Sequence, residues 1–408
     1  MESVGNARTG RRKALIVLAG LFLVGVCVGL YFAYYRFTKY KIQNAPLIPP
    51  DVSFYQPTGN LPALTNPDGS DVKNVILLIG DGMGPGITYM AAVVSGDPGN
   101  RLHMERMPVV GSVRTHSASS MATDSAAAAT ALASGFKTDD GRVAMLEDGT
   151  EVTTILEVAR NKGMATGVVV TSEVTDATPA GFISHEDSRK NHDAIALDMV
   201  GNPPDILMGG GMRRWSDRDD GRDLVEEMRA KGYAVATDMD GMRRSEDRRL
   251  LGLFARGNLP DGSSLPHMTK KALSLLSAQA DPEQGFFLVV EGSLIDKRAH
   301  DNDFNGVVKE MLWFDMAVSE AIAFAEASPG TLVLVTADHD TGGVTFRKRH
   351  GNIIVNWATD KHTSIPVQMF AYGPGARLFS GVLDNTDIPR RLSALLGLGM
   401  FPENLAQQ

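Results

Sequence analysis

Cysteine is almost absent: Cys27 is the only one in 408 residues, which excludes any disulfide within the chain and any zinc site built from cysteine. A bound metal would have to be held by histidine and carboxylate. A basic excess is missing too. Against 48 Asp and Glu stand 40 Lys and Arg, a net charge of −8 with a pI near 5.6, so the electrostatic footprint of a nucleic-acid binder is lacking. Nucleic acid is therefore not expected as a specific partner. Internal repeats and low-complexity blocks are also missing. What remains, 43% hydrophobic and 22% charged residues, is the composition of a folded protein with a sizeable core.

Charge is absent from one stretch in particular. Ala14 to Tyr35 runs 22 residues without a charged side chain, and at ~1.5 Å per helical residue it reaches ~33 Å, enough for a bilayer core. It reads as a transmembrane signal anchor. Arg8, Arg11, Arg12 and Lys13 precede it, favouring residues 1–13 in the cytoplasm, although Arg36, Lys39 and Lys41 reduce the bias. Tyr31, Phe32, Tyr34, Tyr35, Phe37 and Tyr40 resemble an interfacial belt at its far end. A cleaved signal is the alternative, and Arg11-Arg12 and Cys27 are weak matches to twin-arginine and lipid-attachment signals. Residues 36–71 carry six prolines and little periodicity, so they read as an extended tether or arm. The folded domain is expected over 72–408, on the periplasmic or extracellular side.

Continuous apolar runs at 74–80, 165–171, 205–208, 285–290, 331–337 and 366–372 read as strands covered on both faces. Helical patterns at 125–134, 153–162, 268–280, 305–327 and 388–396 alternate with them. The expected fold is α/β, a three-layer sandwich with a mostly parallel central sheet flanked by helices, preceded by one transmembrane helix. The charge-dense stretch from Ser216 to Arg249 reads as a solvated insertion.

Chemistry in such sheets gathers at the carboxyl ends of the strands. Three apolar runs end in carboxylates: one runs into Asp81, one into Glu291, and one into Asp338 and His339. One such Asp is an ordinary turn or cap residue, but several at strand ends suggest a cation, because a buried charge is costly unless compensated. Asp296 and His300, four apart, share one face of a helical turn, a spacing suited to one metal ion. His362 offers a further nitrogen. His103, His116, His185, His192, His267 and His350 read as ordinary surface or core histidines. Ser125 opens a run of small residues, where a helix N-terminus would give a nucleophile a favourable dipole. A metal that lowers its pKa makes a His–Asp relay unnecessary.

These pieces converge on one family. NVILLIGDGMG at 74–84, TDSAAAATA at 123–131 with SGFKTDDG to 141, TSEVTDATPAGFISH at 171–185 followed by Ser188-Arg189, EGSLIDKRAH at 291–300, TADHD at 336–340 and KHT at 361–363 together resemble alkaline phosphatase. The resemblance runs in the family's order from Asn74 to about Gly397. It implies a phosphomonoesterase using two zinc ions and one magnesium ion, with Ser125 phosphorylated during turnover. Asp296, His300 and His362 match the ligands of the first zinc, and Asp81, Asp338 and His339 those of the second. Asp81 also matches the bridge to a magnesium site completed by Thr178 and Glu291, with Asp176 nearby through water. Arg189 matches the arginine that clamps phosphate, and Lys297 a water-mediated phosphate contact. The implied mechanism is two in-line displacements at zinc ions about 4 Å apart.

Departures from the family are visible too. No disulfide supports the domain, and the segment from Asp340 to Lys361 is too short for the crown insertion of animal members. Asp176 and Lys297 follow one of the family's variants, whereas others carry His there. The resemblance implies phosphate monoester substrates and a possible homodimer. Two other readings remain: a phosphodiesterase or sulfatase of the same superfamily, and a catalytically silent, membrane-anchored binding protein.

Overall fold

The computed structural model describes residues 2–43, 46–59, 61–67, 71–399 and 401–402. Eight strands lie between Asn74 and Thr336: β1 (Asn74–Gly80), β2 (Val109–Arg114), β3 (Ala165–Glu173), β4 (Ile206–Gly210), β5 (Ala234–Ala236), β6 (Leu250–Leu253), β7 (Phe286–Gly292) and β8 (Thr331–Thr336). Six follow: β9 (Asp340–Thr341), β10 (Thr345–Arg349), β11 (Asn352–Asn356), β12 (His362–Thr363), β13 (Val367–Tyr372) and β14 (Gly381–Asp384). Ten of them form one sheet in the order β14-β2-β13-β8-β1-β7-β3-β4-β6-β5. All neighbours are parallel except β13, which is antiparallel to both β8 and β2.

The pattern of the central strands explains their place. Every side chain from Val75 to Ile79 and from Phe286 to Val290 is fully buried, because helices cover both faces of the sheet and leave no room for alternation. Each such Val, Leu or Ile contributes ~1.5–3 kcal/mol by leaving water. The six apolar runs become β1, β3, β4, β7, β8 and β13, and the five helical patterns become Ser125–Ser134, Ile155–Asn161, Leu265–Gln279, Phe304–Ala327 and Asp387–Leu396. The sandwich expected from the sequence is therefore the fold observed.

One stretch differs from expectation. Within Ser216 to Arg249, Leu224, Val225 and Met228 are buried on the helix Leu224–Ala230, and β5 completes the edge of the sheet beside β6. The dense charge conceals three apolar residues at helical spacing, so the stretch belongs to the fold rather than to a solvated insertion.

Contacts divide the chain into two compact units, Met1–Ile48 with Phe346–Asn356, and Pro49–Thr345 with Trp357–Gln408. In the first, the helix α1 runs Glu2–Gln43 and packs against β11. Its apolar part, within Leu15–Lys39, has a mean hydropathy of 2.7 and is long enough to cross a membrane. The side chains of Arg8, Arg11, Arg12, Tyr40 and Lys41 lie outside the described residues.

In the second unit, the stretch from Pro49 to Pro67 is partly packed down. Tyr55, Thr58 and Leu64 are buried, and Phe54 stacks on Trp313 with ring centroids 3.8 Å apart. The anchor is Asp315, fully buried on the helix Phe304–Ala327. It accepts hydrogen bonds from the Tyr55 hydroxyl at 2.6 Å and from the amides of His103 and Met104 at 2.7 and 3.0 Å. Asp315→Ala strands a buried hydroxyl and two buried amides, so a urea titration should show a loss of about 3 kcal/mol, against about 1 kcal/mol for Tyr55→Phe. Equally small losses for both would remove Asp315 as the anchor of this segment.

Candidate active site and metal centre

Two helices set the position of the nucleophile candidate. Ser125 is the first residue of the helix Ser125–Ser134, whose ten residues are all buried. Only small side chains permit this: a Cβ on Gly181 of the facing helix Ala177–Ile183 would lie 2.7 Å from the Ala129 Cβ. Close packing brings the two N-termini together. Asp124 caps the first by accepting from the Ala127 amide at 3.0 Å, and Asp176 accepts from the Ala177 amide at 2.9 Å. Arg189 spans both caps, with Nη1 3.1 Å from Asp124 and Nη2 3.3 Å from Asp176. The other Asp176 oxygen takes Lys297 Nζ at 2.8 Å.

The strand ends supply the acidic residues. Asp81 follows β1, Glu291 is the penultimate residue of β7, and Asp338 and His339 follow β8, all at the ends of neighbouring strands. Here the chain must pass itself closely: Gly82 has φ +68, and a Cβ on Gly84 would lie 1.5 Å from an Asp340 carboxylate oxygen. Antiparallel pairing of β9 with β12 places His362 opposite Thr341. This pairing brings a histidine from far along the sequence onto the same centre.

Two overlapping groups result. Asp81, Asp338 and His339 offer ligand atoms within 4.8 Å of one another, as do Asp296, His339 and His362. His300 joins the second group, its Nε2 lying 3.2 Å from Asp296 and 3.1 Å from His362 Nε2. The Ser125 hydroxyl is 3.2 Å from His339 Nε2. Thr178 is buried beside the Glu291 carboxylate, although its hydroxyl makes no hydrogen bond of normal geometry.

Whether these residues fit a cation can be judged from their hydrogen bonds. His300 Nδ1 lies 2.7 Å from the Asp360 carbonyl, and His362 Nδ1 2.7 Å from the Thr123 carbonyl. A carbonyl only accepts, so both Nδ1 atoms carry hydrogen and both Nε2 lone pairs face each other. Asp338 Oδ1 takes the amides of Gly82 and His339. Its Oδ2, together with Asp81 Oδ1 and the Thr178 hydroxyl, is buried without a hydrogen-bond partner. Such orphaned oxygens beside converging nitrogen lone pairs are the donor set of a divalent metal.

Electrostatics point the same way. Burial, then the Asp338, Asp296 and Glu291 carboxylates, push the Asp81 carboxyl well above its ordinary range. Burial also raises Glu291 to about 8, against hydrogen bonds that favour its charge. His339 is driven down to about 4 by burial, which keeps its ring neutral. Asp176 is buried, yet Lys297 and Arg189 outweigh that cost and hold it below the usual carboxylate range. The acidic residues are therefore of two kinds: Asp176 is compensated by the chain's own cations, while Asp81 and Glu291 are not.

Four contributors have no part in the site as read from the sequence. Thr341 Oγ1 lies 2.5 Å from Asp296 Oδ1 and 3.2 Å from His339 Nδ1, linking the two groups. Asp124 orients Arg189, Ser293 donates to Glu291 at 2.5 Å, and Asp340 accepts from Thr363 at 2.5 Å. Thr341 stands in no motif of its own. Its only sequence signal is a position two residues after His339.

Comparison with known proteins agrees with this geometry. Residues 72–355 match the alkaline phosphatase family. Alkaline phosphatase 3 of Bacillus subtilis is 35% identical over 79% of this chain and 88% of its own length. Streptomycin-6-phosphate phosphatase of Streptomyces griseus is 34% identical over 80% of this chain and 91% of its own. The solved alkaline phosphatase of the Antarctic bacterium TAB5 superposes with a TM-score of 0.74 at 31% identity, covering 81% of this chain and 99% of that one. A variant of that enzyme has been solved with magnesium bound. The chain belongs to the alkaline phosphatase family and is a phosphoric monoester hydrolase.

Proposed function

We propose that the chain hydrolyses phosphate monoesters through a phosphoserine formed on Ser125, at a site loaded with two zinc ions and one magnesium ion. The observation that carries this reading is the Ser125 hydroxyl, buried at a helix N-terminus and 3.2 Å from His339 Nε2. Asp296, His300 and His362 would hold one zinc, Asp81, Asp338 and His339 the other, and Asp81, Thr178 and Glu291 the magnesium, with Asp176 beside them. Bound there, these ions supply positive charge to the serine oxygen, the leaving oxygen and the phosphoryl oxygens. Ser125 is positioned to attack phosphorus as an alkoxide, with the first amides of its helix aimed at the incoming anion. Arg189 presents two parallel N–H groups to the phosphoryl oxygens, already oriented by Asp124 and Asp176. Lys297 adds a second cation, and water then releases phosphate from Ser125. By its length and composition α1 anchors the chain in a membrane, with the catalytic unit on the periplasmic or extracellular side.

Three outcomes test this reading. Turnover of p-nitrophenyl phosphate should exceed that of its bis-ester and its sulfate, and should vanish with a chelator or with Ser125→Ala. A preference for the diester or the sulfate would instead make the chain a diesterase or sulfatase of the same fold. Arg189→Lys loses the paired geometry and should lower kcat/KM about a hundredfold, or ~3 kcal/mol. Full activity would remove Arg189 from the phosphate contact.

The third outcome concerns pH. Glu291, raised from 4.5 to about 8, and Asp81, raised in the same sense, keep protons in the folded, metal-free chain that the unfolded chain has released. Their contribution to stability is complete below the unfolded values and is lost as pH rises towards 8. Metal ions displace those protons. The rise in thermal midpoint on adding zinc and magnesium should therefore grow from pH 5.5 to pH 8, and Glu291→Gln should flatten that growth. A metal-induced shift independent of pH would contradict the assignment.

A further inference from the structure

The unit formed by Met1–Ile48 and Phe346–Asn356 carries ten Lys and Arg and one acidic residue, Glu2. The rest of the chain is strongly acidic, since the whole has a net charge of −8. Three of those cations, Arg347, Lys348 and Arg349, are consecutive and exposed at the end of β10, where the hairpin turns into β11. They form no ion pair among the described residues, and the sequence has no acidic residue between Asp340 and Asp360. The hairpin is fixed beside the end of the apolar helix. Leu47 and Ile353 exchange two backbone hydrogen bonds, of 2.7 and 3.0 Å, and β11 packs against α1. Arg36, exposed within the aromatic cluster of α1, adds a further cation.

From this placement we infer that the β10–β11 hairpin is a docking surface for anionic phospholipid headgroups, lying on the leaflet from which α1 emerges. The inference rests on reading α1 as a membrane anchor. If α1 crosses the hydrocarbon core from Leu15 to about Tyr35, the rest of the helix to Gln43 rises ~12 Å, of which the headgroup layer takes ~5–7 Å, so the hairpin paired at Leu47 starts within about one screening length of the headgroups. Consecutive guanidinium and ammonium groups at that depth meet the negative surface potential of anionic lipids, which is screened beyond ~8 Å at physiological salt. An otherwise acidic protein is repelled by the same surface, and this basic hairpin opposes that repulsion locally.

The test uses the full chain in nanodiscs of phosphatidylcholine, with and without phosphatidylglycerol, read by hydrogen–deuterium exchange. Phosphatidylglycerol should slow exchange several-fold at residues 346–352, and high salt should remove the protection. The triple variant Arg347→Gln, Lys348→Gln, Arg349→Gln should lose it while turning over p-nitrophenyl phosphate normally in detergent, which reports an intact fold. Arg347→Lys with Arg349→Lys should keep it. Equal exchange in both discs, protection that survives in the triple variant, or equal protection by duplex DNA in neutral discs would each overturn the lipid assignment. An alkaline carbonate wash separates the two readings. A chain retained in neutral discs but without lipid-dependent protection keeps the anchor and loses the hairpin contact. A chain released by the wash, yet protected by phosphatidylglycerol, loses the anchor and keeps the contact.

Discussion

Buried negative charge is the constraint on which this structure turns. Asp81, Glu291, Asp296 and Asp338 sit in the interior at the ends of neighbouring strands or just beyond them, where an uncompensated carboxylate costs several kcal/mol. The chain itself neutralises only part of this charge. Lys297 and Arg189 are committed to Asp176, and the histidines of the cluster are held with their Nε2 atoms facing inward. An orphaned oxygen on Asp81 and another on Asp338 therefore wait for positive charge from outside the polypeptide. Binding that charge and binding a phosphate ester are two aspects of the same electrostatic arrangement.

The fold creates this constraint and also makes it tolerable. Parallel strands covered on both faces send all their carboxyl ends to one side, so the residues after β1, β7 and β8 converge without any local signal for it. The tightly packed helices Ser125–Ser134 and Ala177–Ile183 bring their N-termini to that side. The amides there stabilise Asp124 and Asp176, and the caps in turn fix Arg189 before substrate arrives. Preorganisation of this kind costs stability in the empty chain. It is recovered when cations and phosphate enter.

Much of this could be read from residues in order along the chain. The apolar runs ending in Asp81, Glu291 and Asp338 located three central strands and their acidic ends at once, because a strand buried on both faces has no alternation to obscure it. Asp296 and His300 were recognisable as a pair from helical spacing. The short edge strand β5 and its neighbour β6 were not, since their apolar residues are few and set among charges that belong to neighbouring turns. Thr341 escaped for another reason: a threonine two residues after a histidine is unremarkable until β9 pairs with β12 and turns its hydroxyl towards Asp296. The latch of Tyr55 onto Asp315 spans 260 positions, and no local pattern announces a contact of that range. His362 could be named from the sequence as a further nitrogen, but nothing local tied it to Asp296 and His300: it stands alone in sequence and is placed by the same β9–β12 pairing.

The central claim is that Ser125 becomes phosphorylated at a site completed by metal. Acid quenching of the zinc- and magnesium-loaded chain during turnover of p-nitrophenyl phosphate, followed by peptide mass spectrometry, reads this directly. The account predicts one phosphoryl group on the peptide containing Ser125, and none on the same peptide from chelated protein. Turnover that continues with Ser125 unmodified, or with Ser125 replaced by alanine, would contradict it.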